Sequence, residues 1–356
     1  MYNQSMENSL KTKTSQKHTA FYPLAELHSH LGTSVSPRVL WEIAHDQGIK
    51  LPKRDYHEFV KFVVLSTERK MALNDYFEKV YHPILDRLTS GTHSVEQATY
   101  QTIAGGYRSG GITLMELRNN LIKHTGGKDY DLDHTAMAML RGMERALLAH
   151  DGLSAGLIFM MARDRDFTKE MNIQIVNKAI KYHKRGVVGI DVGGPGNPDF
   201  RFKDYKDEFK RARQAGLGIT VHTGEQKDAD DMWDALEYAQ PDRIGHGIRA
   251  AYDKKLMAEL VKRDILLEIC PMSNIVTKAV EGVDEVRFIL RTFLENKVKF
   301  SINTDWPEII EGCQLQSQYQ FLIDNDVLSE EELMQCNKNA FAASFIPKKG
   351  GLDAYL

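Results

Sequence analysis

Two histidines separated by one residue, His28 and His30 in ELHSHL, end a short apolar run. Other polar residues recur where such runs end: His222 and Glu225 in VHTGE, His246 in RIGHGI, and Asp305 in NTD. Residues two apart on a strand face the same side, so His28 and His30 can grip one metal ion. Imidazole nitrogens with a carboxylate suit Zn²⁺ and other borderline divalent cations, and the set His28, His30, His222 and Asp305 leaves a position free for water. That is the chemistry of a hydrolytic site. A lone His-x-His is a common chance pair, and the three further polar strand ends set this one apart.

The neighbouring groups each carry two readings. Glu225 is a general acid/base reaching water or substrate, or a surface carboxylate ahead of the helix that starts near Asp231. His246, between Gly245 and Gly247, orients a nucleophile or is a satisfied core histidine. Asp191 precedes Gly193, Gly194 and Gly196, which let a ligand edge meet the backbone or make only a tight turn.

These residues need a scaffold that gathers distant strand ends. Eight strand candidates are read at Leu24–His30, Ile112–Asn119, Leu153–Ala162, Val187–Gly194, Gly218–Glu225, Arg243–Ile248, Leu266–Ser273 and Lys299–Asp305. Helical periodicity lies between them at Thr168–Tyr182, Tyr205–Ala215, Met232–Ala239, Lys254–Lys262 and Val283–Glu295. Alternating strand and helix with no composition break predicts an α/β fold, a single (β/α)₈ TIM barrel over residues 21–356, whose strand C-termini face the active site. The stretch Ser36–Gly110 reads as extra helices inserted after the first strand, over one barrel mouth. Near the C-terminus, Ser329 and Glu332 have capping-box spacing.

Composition narrows the partners. The 356 residues carry 46 Lys and Arg against 49 Asp and Glu, a formal charge of −3 with no dense basic block, so a nucleic-acid footprint is missing and a small ligand is the expected partner. Three cysteines without CxxC spacing argue against a disulfide framework and for a reducing, cytoplasmic setting. No apolar run is long enough for a membrane span, and residues 1–20 read as a disordered, soluble tail.

With those residues in view, the sequence resembles the adenosine deaminase family of the amidohydrolase superfamily. ELHSHL resembles the family's metal-binding opening, VHTGE its third-histidine and catalytic-glutamate segment, RIGHGI its catalytic-histidine segment, and NTD its final metal aspartate; LEICPMSN also resembles a family strand. The motifs run in family order over roughly residues 24–345. The resemblance implies one Zn²⁺ per chain and hydrolytic deamination of a 6-aminopurine nucleoside, adenosine or a 5′-modified adenosine. It makes His28, His30, His222 and Asp305 the metal ligands. Glu225 would protonate purine N1, His246 would orient the water, and Asp305 would also accept a hydrogen bond from it. The Gly194 N–H would meet purine N3.

Two departures fall on substrate contacts. Gly32 stands where the family usually carries an acidic ligand of the ribose 5′-hydroxyl, and Trp306 stands where it carries an Asp bonded to purine N7. The glycine removes a side-chain contact and leaves space, with Thr33, Ser34 and Ser36 as possible hydroxyl donors or plain helix caps; the indole N–H can donate to N7. Substrates altered at the 5′ position are therefore expected to be tolerated. The alternatives are the same metal site acting on adenine, AMP or another aminated ring, and a barrel that binds nucleoside without turnover.

Overall fold

The computed structural model describes residues 21–125, 131–194, 197, 199–226 and 229–348. The expectation of a disordered tail at residues 1–20 lies outside them. Eight strands form one parallel sheet in sequence order: β1 (Leu24–His30), β2 (Ile112–Asn119), β3 (Ser154–Ala162), β4 (Val187–Gly193), β5 (Gly218–Thr223), β6 (Arg243–His246), β7 (Leu266–Ile269) and β8 (Phe300–Ile302). β8 closes on β1 just beyond its own end, where the Asp305 N–H donates to the His28 carbonyl at 2.7 Å and the His30 N–H to the Asp305 carbonyl at 3.3 Å. Helices separate the strands, which makes a (β/α)₈ TIM barrel as the alternation predicts.

The starts of the strands match the periodicity more closely than their ends. β5, β6, β7 and β8 all stop two to four residues short of the sequence reading. At β7 the reason is Pro271, which opens a short helix, Pro271–Val276, at the position where a proline suits a first turn. At β6 and β8 the chain leaves the sheet through left-handed residues, His246 at φ 61° and Asp305 at φ 63°. Non-glycine residues rarely adopt that backbone, and such strain clusters at functional sites.

The helices Lys254–Lys262 and Val283–Glu295 match their predicted limits, and Lys169–Tyr182 starts after Thr168, whose side chain accepts from the Met171 N–H. The capping box forms: the Ser329 N–H donates to Glu332 at 2.8 Å and the Glu332 N–H to Ser329 Oγ at 3.2 Å.

The insertion after β1 builds helices at Pro37–Asp46, Tyr56–Val63 and Thr92–Gly110, and a longer helical run from Leu73 to Leu88. Its middle, Phe77–Leu85, is a π-helix that contains Pro83. Proline cannot donate to an α-type ladder, and wider turns of this kind recur at functional sites. Leu73, Phe77 and Tyr81, four residues apart, all face the pocket at the barrel mouth. The barrel floor is closed from the other end, where the Arg243 guanidinium lies 3.6 Å from the Phe345 ring centroid. A side chain at Gly218 would collide with that ring, its Cβ 2.3 Å away. No helix among the described residues is long and apolar enough to cross a membrane.

Candidate active site

One pocket at the C-terminal mouth is lined by His30, His222, Glu225, His246 and Asp305 together with Leu31, Gly32, Leu73, Phe77, Tyr81, Lys123, Gly194 and Trp306. The sequence-predicted residues thus meet in one place, with His28 buried just behind the surface.

The protons in this cluster are assigned by its carboxylates. Glu268 is fully buried, which alone would raise its pKa, but Arg118 and Arg243 beside it hold it down at about 2. An ionised carboxylate only accepts, so His28 Nδ1, 2.8 Å away, is the donor and His28 Nε2 carries the lone pair. Among the described residues that Nε2 is buried with no hydrogen-bond partner. Asp191 is likewise held at about 2, the effect of burial being outweighed by His222 and Arg118. His222 Nδ1, 3.0 Å from it, is therefore a donor, and its Nε2 also presents a lone pair.

These bare nitrogens converge. His222 Nε2 is 3.0 Å from His30 Nε2, which is 3.3 Å from Asp305 Oδ1, while His28 Nε2 lies 3.6 Å from the same oxygen. One ligand atom each from His28, His30 and Asp305 falls within 4.8 Å of the others, and the same holds for His28, His222 and His246. Lone pairs crowded so closely repel one another unless a cation lies among them, and the carboxylates at Nδ1 of His28 and His222 are the usual outer support of a metal ligand. The donor set therefore fits a divalent metal.

Electrostatics favour the same role. Burial first, then the neighbouring Arg118 and His222, lowers the His28 pKa well below its ordinary value, and burial with His222 does so for His30. Imidazoles that are already neutral need not lose a proton to bind a cation. Asp305 has the opposite sign, its pKa raised by burial, so proton competition there extends to higher pH than for an ordinary carboxylate. We expect the affinity for Zn²⁺ to weaken by less than about 20-fold between pH 7 and pH 5.5, against several hundredfold for three unperturbed imidazoles of pKa about 6.5. Competition against a chelator of known affinity measures it, and the steep fall would contradict a preset neutral site.

Glu225 lies just past β5, and its Oε2 is 3.9 Å from His246 Nε2. Burial raises the Glu225 pKa above the ordinary carboxylate value and lowers that of His246 to about 4, so the Glu225 carboxyl faces a neutral imidazole. His246 Nδ1 meets the Asn274 amide nitrogen at 3.0 Å, and Ser273 Oγ donates to Asp305 Oδ2 at 2.6 Å.

The substrate-side residues carry one correction. Gly32 does not leave space: a Cβ there would lie 2.5 Å from the Tyr81 hydroxyl. Thr33 and Ser34 donate to the His30 backbone carbonyl, and Ser36 caps the Val39 N–H. Those hydroxyls serve the backbone. Trp306 lines the pocket and packs its ring 4.9 Å from Tyr76 and 6.0 Å from Phe77. Gly194 lines the wall at φ 105°. Glu268, Ser273 and Asn274 carry no role in the sequence reading, although all three lie in LEICPMSN. Nothing in the sequence singles out Arg118, Lys123 or Tyr81.

The model of the family described as adenosine deaminase matches residues 23–353, and the adenosine deaminase of Shewanella denitrificans is 30% identical over 326 residues, 91% of this chain and 94% of the relative. The chain belongs to the adenosine deaminase family. Its enzyme class follows, a hydrolase acting on C–N bonds. Among solved structures, adenine deaminase from Arthrobacter aurescens superposes with a TM-score of 0.79 at 22% identity, covering 92% of this chain and 95% of that one. The N6-methyl-AMP deaminase from Arabidopsis thaliana gives 0.73 at 22% identity, covering 92% and 93%. These two show the shared barrel of the family.

Proposed function

We propose that the protein is a Zn²⁺-dependent aminohydrolase that converts a 6-aminopurine nucleoside, adenosine or a 5′-modified adenosine, to its 6-oxo product with release of ammonia. The observation that carries this reading is the convergence of the His28, His30, His222 and Asp305 ligand atoms beside the half-buried Glu225. His28, His30, His222 and Asp305 would hold the ion. Bound Zn²⁺ supplies Lewis-acid activation, lowering the pKa of water towards neutrality.

The chain's own groups then divide the proton work. Glu225, whose pKa burial raises, delivers a proton to the ring nitrogen beside C6, which makes that carbon electrophilic. Asp305 accepts the proton of the attacking water through Oδ1 while Ser273 fixes Oδ2. His246, neutral and oriented by Asn274, offers Nε2 to the oxygen as it adds to C6. The Gly194 backbone meets N3, and Trp306 offers its indole N–H on the N7 side. Water adds at C6, the proton taken by Asp305 passes to the amino group, which leaves as ammonia, and the C6 hydroxyl proton returns to Glu225 as the carbonyl forms.

At Gly32 the wall is the Tyr81 phenol, which holds no charge because burial raises its pKa well above the ordinary value. Ammonia release from adenosine, 5′-deoxyadenosine, a 5′-thioether analogue, AMP and adenine tests the reading. At least one nucleoside is turned over, and adenosine is preferred over 5′-altered nucleosides by less than about 100-fold, roughly 2.7 kcal/mol. Absence of ammonia from every member overturns the function, and a larger preference overturns the role given to position 32.

A further inference from the structure

One charged pair, Lys123 of the pocket lining and its partner Asp164, has no task in this chemistry. Lys123, just past β2, lines the pocket, and its Nζ lies 2.9 and 3.0 Å from the two carboxylate oxygens of Asp164, just past β3. The side chains are only 11% and 10% exposed. The ammonium also sits 5.9 Å from the Phe77 ring centroid and 5.6 Å from that of Phe167. Asp164 borders Gly194, where an added Cβ would be 2.7 Å from Asp164 Oδ2. Burying two charges costs desolvation that their attraction does not reliably return, and apolar residues would serve packing at least as well.

Position indicates which part of a ligand the pair meets. The metal-type cluster, Glu225 and His246 belong to the ends of β1, β5, β6 and β8, whereas Lys123, Asp164 and Gly194 belong to β2, β3 and β4 across the mouth. A 6-aminopurine with C6 against the first group turns its N9 substituent towards the second.

Chemistry then indicates the substituent. An ammonium donates and a carboxylate accepts, so together they match vicinal hydroxyls, each of which does both. A dianionic phosphate matches less well. Asp164 already meets the charge of Lys123, and His82, 3.8 Å from Asp164, is bound through its other ring nitrogen to Asp86 at 2.8 Å. A ligand with only hydrogen at N9 would leave the pair its mutual salt bridge but bring no hydroxyl to complete the hydrogen bonding of the half-buried ammonium and carboxylate.

We propose that Lys123 and Asp164 form a sugar subsite that binds the ribose hydroxyls and selects a nucleoside over the free base and over the 5′-nucleotide. The proposal rests on the 6-aminopurine reading above, and its test separates the two. Calorimetry on the unreactive products inosine, 2′,3′-dideoxyinosine, hypoxanthine and IMP needs no turnover. The wild type binds inosine at least about 30-fold more tightly than hypoxanthine or 2′,3′-dideoxyinosine, the factor expected of hydrogen bonds to charged groups. IMP binds no more tightly than inosine. Lys123→Met, Asp164→Asn and the double variant, which leaves no unpaired buried charge, each reduce the inosine-to-hypoxanthine ratio by about 30-fold.

A ratio that stays within threefold in the double variant while its melting temperature falls assigns the pair to structure and overturns the proposal. Tighter binding of IMP, lost only in Lys123→Met, makes this an anion site and overturns it too. Equal wild-type binding of inosine and 2′,3′-dideoxyinosine does so without any variant. If the wild type binds none of the four and releases no ammonia from any 6-aminopurine, the function itself is wrong and the subsite falls with it.

Discussion

Glu225→Gln is expected to fold, to retain the proposed divalent metal and to deaminate the 6-aminopurine substrate about 10³-fold more slowly than the wild type, within the 10²–10⁴-fold range of a lost acid/base group. Gln keeps the size and polarity of the side chain but cannot carry the proton. Glu225 is half-buried at the pocket edge, with the neutral His246 Nε2 3.9 Å away, and it stands outside both groups of converging ligand atoms. Metal content therefore survives the change. Because burial raises the carboxyl pKa, the protonated form persists to higher pH than for an ordinary glutamate. In the proposed mechanism the acidic form is the active one, so wild-type kcat is expected to decline as pH rises through that raised value. Near-normal turnover in Glu225→Gln would remove the acid/base role, and loss of metal would make Glu225 a structural group.

Glu268→Ala destabilises the fold by about 3–5 kcal/mol in denaturant unfolding and weakens metal binding. A single buried carboxylate serves four partners: His28 Nδ1 at 2.8 Å, Arg118 Nη2 at 2.7 Å, Arg243 Nε at 2.7 Å and Thr220 Oγ1 at 3.0 Å. Arg118 reaches on to Asp191, the support of His222, and Arg243 to Glu116 near the barrel floor. Removing Glu268 leaves two guanidinium groups under-compensated where no water reaches, and frees the His28 ring to rotate. The stability of the barrel and the geometry of its mouth are thus one network. A loss below about 1 kcal/mol with metal affinity unchanged would contradict that coupling.

The contrast between what the residues announce and what they conceal is clear along this network. His28, His30, His222, Glu225, His246 and Asp305 are legible because polar groups are conspicuous at the ends of apolar runs, and strand periodicity places the first two on one face. Glu268 and Arg118 lie inside such runs, where a charge reads as an irregularity until the closed barrel brings together residues separated by 150 positions. Strand ends are overestimated where left-handed backbone at His246 and Asp305 turns the chain, a conformation in which His and Asp are enriched but which residue type alone does not fix. Tyr81 escapes notice for another reason. Its place beside Gly32 depends on how the inserted helices return over the mouth, and a four-residue spacing does not encode that path. The same holds for Lys123, whose partner Asp164 follows the next strand.

The central claim, that these strand ends hold one Zn²⁺ for aminopurine hydrolysis, is tested most directly by the ammonia assay on chelator-stripped protein titrated with Zn²⁺. Ammonia release from the best substrate of the panel is predicted to be absent in the stripped protein, to rise linearly with added metal and to level off at about one equivalent per chain. Full activity in protein shown to be metal-free, or stripped protein that takes up one Zn²⁺ through these ligands and still releases no ammonia, would contradict the account.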